Sequence, residues 1–234
     1  MRVLAIMCHP DDMEILCGGT LLKYKKQGHD VIVCHAANGN MGHVVIKPDE
    51  LKEIRREEAK RASDIAGFEL LTADIDDLTV DSHDKEQLSK ITKIIRYAKP
   101  DVIITHDPDD YCSDHAELSK IVFKASFDAS CPQFKPELGE AVDITPIYYA
   151  DTDYGVNFIP TEYVDITEEM ETKEKMLACH QTQLQWLMDH DGIDFIEETK
   201  KQAISRGSQC GVKYAEGFRQ LIASPRMKTY RLLP

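Results

Sequence analysis

Positive charge is in short supply: 28 Lys and Arg stand against 41 Asp and Glu, a formal net charge of −13. A surface that acidic repels phosphate backbones and anionic lipid, which argues against nucleic-acid and membrane partners. Long apolar runs are missing too. No stretch approaches the ~18 residues that a membrane span needs. The opening MRVLAIMCHPDD turns acidic where a secretory signal would continue apolar, so a cytoplasmic protein is expected and the first strand reads as the beginning of the fold. Cysteine is present, with 7 residues, but it is not organised: the number is odd, the positions are scattered and no CxxC pair occurs. That argues against a disulfide framework or a structural zinc knot and fits a reducing compartment. Most of the thiols are expected to be small core residues, Cys112 excepted. There is no internal repeat, low-complexity stretch or Pro/Ser/Gly-rich linker, so residues 1–234 read as one domain with ample material for a core.

Short apolar runs alternate with helical periodicity. Arg2–Met7, Asp30–His35, Glu69–Thr72 and Asp101–Thr105 read as strands, the second rich in β-branched residues. Between and after them, Leu16–Gln27, Asp49–Ala66, Lys85–Tyr97 and a segment near Glu117–Phe127 have helical spacing, with Gly28 and Gly67 as natural left-handed stops. This rhythm predicts an α/β fold: a Rossmann-like, doubly wound, mostly parallel sheet with helices on both faces. Later, Ile147–Ala150 and Glu162–Val164 read as strands, Glu168–Leu187 as one helix and Lys200–Ser208 as an end helix.

In such a sheet ligands bind at the carboxyl ends of strands. Two clusters of His and Asp fall there: Cys8-His9-Pro10-Asp11-Asp12-Met13-Glu14 after the first strand, and His106-Asp107-Pro108-Asp109-Asp110-Tyr111-Cys112-Ser113-Asp114-His115 after Asp101–Thr105. Pro10 fixes its own φ and biases His9 to extended geometry. So many carboxylates repel one another unless a cation or proton relieves them. His9 and Asp12 can converge on one divalent ion, and His115, near the start of the next helix, is placed to add a third ligand and leave a position open. The bland alternative is that both loops are helix caps and solvated turns.

CHPDDMEILCGGTL resembles the signature of the PIG-L/LmbE-like zinc-dependent de-N-acetylases, a strand followed by His-Pro-Asp-Asp-x-Glu and then Gly-Gly-Thr opening a helix. The similarity continues in family order through Arg55-Arg56-Glu57-Glu58, Asp114-His115, His180-Gln181-Thr182-Gln183, Arg206-Gly207 and Tyr214-Ala215-Glu216-Gly217-Phe218. The resemblance implies His9, Asp12 and His115 as metal ligands and Asp11 as general base. It implies Asp114 as the carboxylate that orients an imidazole, and Arg55 as a residue that binds substrate or orders the pocket. It further implies Zn2+ as cofactor (a His2Asp set also accepts Fe2+ or Co2+), an acetamido sugar of the N-acetylglucosamine type as substrate, and a homo-oligomer, as members of that family often form.

One position departs from the pattern. Where many members have His-Pro-Asp-His, this chain has Cys112-Ser113-Asp114-His115, so the imidazole credited with stabilising the oxyanion is absent. A thiol is a weak donor without charge. Either His43, His106 or His180 takes that role, or the metal carries the oxyanion alone, or Cys112 is a fourth ligand; a loop residue with no role is the plain alternative. Gly18-Gly19-Thr20 lacks the Lys of a phosphate loop and reads as helix–strand packing. Glu14 and Glu58 read as partners of cationic groups or as surface residues, and Asn38–His43 as a turn or a substrate loop. His180 reads as a catalytic or a structural residue, and His29, His83 and His190 as surface or turn residues. Two rivals to sugar deacetylation stay open: an amidase acting on another amide, such as a thiol conjugate or natural-product intermediate, and a metal- or carbohydrate-binding module without turnover.

Overall fold

The structure is a computed structural model that describes residues 1–234. Strands β1 (Arg2–Met7), β2 (Asp30–Ala37), β3 (Glu69–Ile75), β4 (Val102–Thr105), β5 (Ile147–Ala150), β6 (Glu162–Asp165) and β7 (Ala215–Gln220) form one sheet in the order β3-β2-β1-β4-β5-β7-β6. The first five pair in parallel, and β7 runs antiparallel to both β5 and β6. The mostly parallel α/β sheet expected above is therefore present. β7 was not read as a strand, because AEGFRQ carries a glycine and little apolar alternation; tertiary pairing with β5 and β6 overrides that weak local preference.

Both faces of the sheet are covered. Along β1, Val3, Ala5 and Met7 enter one apolar layer while Leu4, Ile6 and Cys8 enter the other. This is why the strand reads as an unbroken hydrophobic run with no polar alternation. The first layer is closed by α2 (Gly18–Lys26), α3 (Pro48–Ala66), α6 (Met170–Leu177) and α8 (Phe195–Cys210) through residues such as Leu21, Ala62, Met176 and Ala203. The second is closed by α4 (Lys85–Ala98) and α5 (Ser113–Asp128), whose Leu88, Ile91, Ile95, Leu118, Ile121 and Val122 are buried.

Several boundaries differ from the periodicity. A short helix α1 (Asp12–Leu16) ends at Leu16, and α2 starts only at Gly18, where Glu216 of β7 accepts the N–H groups of Gly19 and Thr20 at 2.8 and 2.7 Å. Gly19 is required by close approach, since a Cβ there would lie 2.7 Å from Ile166; helix packing is thus the right account of the Gly-Gly-Thr segment. The helix expected over Glu168–Leu187 is two helices, α6 and α7 (Gln181–Asp191). They are separated by a fully buried His180, and Glu58 of α3 caps α7 by accepting Thr182 N–H at 2.9 Å and its hydroxyl at 2.6 Å. Glu58 is accordingly neither a surface residue nor a partner of a cation. The cysteines also need correction: Cys8, Cys17 and Cys34 are core residues, Cys112, Cys131 and Cys179 are half-buried, Cys210 is exposed, and all are free thiols. No helix is long and apolar enough to cross a membrane.

Candidate metal centre

β2 lies on one side of β1 and β4 on the other, so the chain reverses its direction of winding between β1 and β4. A crevice opens at such a point beyond the strand ends, and the two His/Asp loops meet in it. The sharp turn after β1 puts His9 and Asp12 together, with the His9 N–H donating to Asp12 Oδ2 at 2.6 Å. The loop after β4 leads into α5, which begins at Ser113, earlier than its apolar periodicity suggests, so that His115 lies in its first turn.

Three atoms form a nearly equilateral triangle. His9 Nδ1 lies 3.2 Å from His115 Nε2 and 3.4 Å from Asp12 Oδ2, and His115 Nε2 lies 3.2 Å from Asp12 Oδ2. Tetrahedral ligands with bonds of about 2.0–2.1 Å are about 3.3 Å apart, so the triangle has the size of one face of such a coordination sphere. The far nitrogens of both rings are engaged: His9 Nε2 is 3.3 Å from Asp114 Oδ2, and His115 Nδ1 is 3.0 Å from Asp110 Oδ2. When those nitrogens donate to the carboxylates, the near nitrogens present lone pairs to each other and to Asp12. That convergence is repulsive unless a proton or cation sits among them, and it is the arrangement in which carboxylates orient metal-ligating imidazoles. The three residues therefore fit a divalent ion. Asp114 also accepts the Leu78 N–H at 2.8 Å, which fixes it in place.

Asp110, in the loop between β4 and α5, carries no sign of this contact in the sequence. Its spacing to His115 is no help in a strand-to-helix loop, and only the fold shows that its carboxylate reaches the ring. His106, also from this loop, is fully buried and stacks on His115 with centroids 3.8 Å apart. Its Nε2 accepts the Cys8 N–H at 2.9 Å. Burial, with His115 beside it, pushes its pKa down to about 4, so it is neutral.

Asp11 faces the same cavity as the triad. It is 5% exposed and holds a φ of 122°, a strained backbone of the kind found at functional sites. Arg55 fixes it: Nη2 lies 3.2 Å from Asp11 Oδ2 and also donates to the Pro10 carbonyl, while Nη1 reaches Gly39 O at 3.4 Å. Burial raises the Asp11 carboxyl to about 6, with Arg55 pulling in the other direction. The cavity, ≈ 380 Å³, is also lined by Met41, Gly42, Asp77, Leu78, Cys112, Asp153, Tyr154, Gln183, Leu187 and Phe195. Asp153, which the sequence reading passed over, is pushed up to about 7 by burial and then by the charge of Asp12.

None of the imidazoles considered as substitutes at position 112 lines this cavity. His43 Nδ1 accepts Val45 and Ile46 N–H at 3.1 Å each. His180 lies against Glu14, 3.2 Å from Nε2 to Oε1, both fully buried. Glu14 is thus a buried partner of an imidazole, and His180 is buried at the junction between α6 and α7. His83 and His190 are exposed and His29 is half-buried.

An α/β sheet with a two-histidine, one-aspartate centre and an adjacent buried carboxylate at its switch point is the architecture of a metal-dependent enzyme. Residues 4–126 match the family model PIG-L, described as GlcNAc-PI de-N-acetylase, and the chain belongs to that family. It is 29% identical over 226 residues to diacetylchitobiose deacetylase of Thermococcus kodakarensis, covering 93% of this chain and 82% of that protein. The structure of N,N'-diacetylchitobiose deacetylase from Pyrococcus horikoshii superposes with a TM-score of 0.79 at 26% identity, covering 94% of this chain and 83% of the other. A relative of different printed activity, 4-oxalmesaconate hydratase of Pseudomonas putida, is 25% identical over 75% of this chain and 71% of its own.

Proposed function

We propose that this protein is a metal-dependent hydrolase that removes the acetyl group from the nitrogen of an acetamido sugar related to N-acetylglucosamine, with His9, Asp12 and His115 as ligands of Zn2+. The observation that carries the reading is the 3.2–3.4 Å triangle of nitrogen and oxygen atoms beside a strained, buried Asp11. A divalent ion at the triangle supplies Lewis acidity, which polarises a carbonyl and acidifies water. The chain's own groups do the rest. Asp11 accepts the proton of the attacking water and returns it to the departing amine nitrogen. Arg55 keeps the Asp11 carboxylate aimed into the cavity, and Asp114 and Asp110 hold the two imidazoles in the tautomer that leaves the near nitrogens unprotonated. The same residues accommodate Fe2+ or Co2+.

The cavity's charge favours an uncharged sugar. A polycarboxylate would meet Asp11, Asp12, Asp77 and Asp153, against Arg55 as the one lining side chain with a fixed positive charge, and this weighs against hydration of an oxaloacid. The test is acetate release from N-acetylglucosamine and diacetylchitobiose, with and without a chelator. Activity that a chelator removes and Asp11→Asn abolishes, with metal still bound by elemental analysis, supports the reading. Silence across acetamides, with hydration of an unsaturated dicarboxylate instead, overturns it.

A further inference from the structure

The floor of the cavity is polar and its mouth is not. Met41, Leu78 and Tyr154 all line it, yet 49%, 78% and 49% of their surfaces remain exposed. Leu187 and Phe195, both half-buried, belong to the same lining. Leu78 and Tyr154 share a second peculiarity. Their φ angles are 65° and 58°, and they are the two large apolar residues of the chain in left-handed backbone; the other non-glycine cases are Asp, Lys and Asn. A leucine gains almost nothing from packing at that exposure, and Asn or Gly would occupy the same backbone with less strain. Neither residue is loosely held. The Leu78 N–H is bound to Asp114, the carboxylate behind His9, and Tyr154 sits in the 3-10 turn Asp153–Gly155, bracketed by the 2.6 Å bond from Thr152 Oγ1 to Val156 O. An exposed apolar collar, held by Asp114 at Leu78 and by its own turn at Tyr154, and continuous with the reaction cavity, calls for an apolar occupant. An anionic one is disfavoured, because the lining holds no lysine and Arg55 is engaged by Asp11, Pro10 and Gly39.

We infer that Leu78 and Tyr154, with Met41, form a subsite for an apolar aglycone, so that the substrate is an acetamido sugar bearing an alkyl or aryl group on its outward end. This rests on the deacetylase reading for the orientation, acetamide at the floor and aglycone at the mouth.

The test separates the two claims by measuring binding as well as turnover. Calorimetry on the metal-loaded protein compares hexyl and methyl β-D-glucosaminide, which need no reaction to bind. Burial of two of the added methylenes predicts about 10-fold tighter binding of the hexyl glycoside. Leu78→Asn and Tyr154→Asn, which suit the left-handed backbone, should keep their melting temperature and lose most of that preference. The inference is overturned if the hexyl compound binds no tighter than the methyl one, or if both variants retain the preference. It is overturned equally if lengthening the N-acyl chain, and not the aglycone, raises kcat/KM. A hexyl preference in a protein that hydrolyses no acetamide would leave the collar standing and remove the deacetylase reading.

Discussion

A carboxylate that is to take a proton from water near neutrality must be less acidic than a solvated aspartate, yet ionised when substrate arrives. Asp11 meets both conditions through two opposed neighbours. Burial lifts its carboxyl to about 6, and the Arg55 guanidinium at 3.2 Å limits the rise. A bound cation acts in the same sense as Arg55. Since the base works only when deprotonated, kcat/KM should rise with pH through a limb at or below about 6. Arg55→Gln should move that limb upward and lower its plateau; a limb that stays in place in the pH–rate profile would mean the base does not feel Arg55. Cys112 makes a second claim at this scale. It lines the cavity at the position where many members of the family have an imidazole, and no histidine besides His9 and His115 lines that space. If the missing donor limits the rate, Cys112→His should raise kcat toward N-acetylglucosamine by up to ~100-fold, the worth of an oxyanion donor. An unchanged or lower kcat would show that the metal or another group already carries the oxyanion.

On the proposed reading the loop from β4 to α5, with the first turn of that helix, supplies one ligand and both carboxylates that orient the imidazoles, so the centre's rigidity depends on this segment. Asp110→Asn keeps the shape but weakens the acceptor at His115 Nδ1, 3.0 Å away. Loss of such a partner is expected to cost roughly 10–100-fold in metal affinity, read by competition against a chromogenic chelator; unchanged affinity would reduce Asp110 to a turn residue. That the convergence of His9, Asp12 and His115 is legible in the sequence, while the place of Asp110 beside the His115 ring is not, has a physical reason. Ligands after strand ends announce themselves by type and position, whereas a supporting carboxylate is one Asp among many until the ring's orientation is known. The same holds for elements. The parallel strands β1, β2, β4 and β5 were legible because burial on both faces writes itself as a run of apolar residues, whereas β3, a partly exposed edge strand, was legible only over Glu69–Thr72. β7 was not, since its place is set by pairing with β5 and β6 and by Glu216, whose carboxylate caps α2 and meets the buried Lys173 at 2.7 Å. The break between α6 and α7 was hidden likewise, because the cap that starts α7 comes from Glu58, on another helix 124 residues earlier in the chain.

Across the whole molecule an excess of 13 negative charges works against compaction, and Asp11, Asp12, Asp110 and Asp114 gather part of it, buried beyond the ends of β1 and β4. Without metal, protons are the alternative means of holding the triangle together. Burial opposes charge on His9 and His115, but Cys8, Asp114 and Asp12 around the first, and Asp12 and Asp110 around the second, outweigh it, so both pKa values lie well above the usual 6.5. A histidine whose pKa is raised by folding contributes stability that is fully present below its unfolded pKa and is lost as pH rises through the folded one. The metal-free protein should therefore lose stability as pH rises above about 6.5 toward the raised folded pKa values. The metal-loaded protein should be spared, because the ion takes the protons' place and competes with them less at high pH. At a free metal concentration 1,000 times Kd the stabilisation is about 4 kcal/mol. The gap in melting temperature between metal-loaded and chelator-treated protein is accordingly expected to widen from pH 6 to pH 9. It should vanish at both pH values in Asp12→Ala, which removes the carboxylate shared by metal and protons alike. A gap that is constant with pH, or that survives in Asp12→Ala, would place the stabilising ion somewhere other than the triangle of His9, Asp12 and His115.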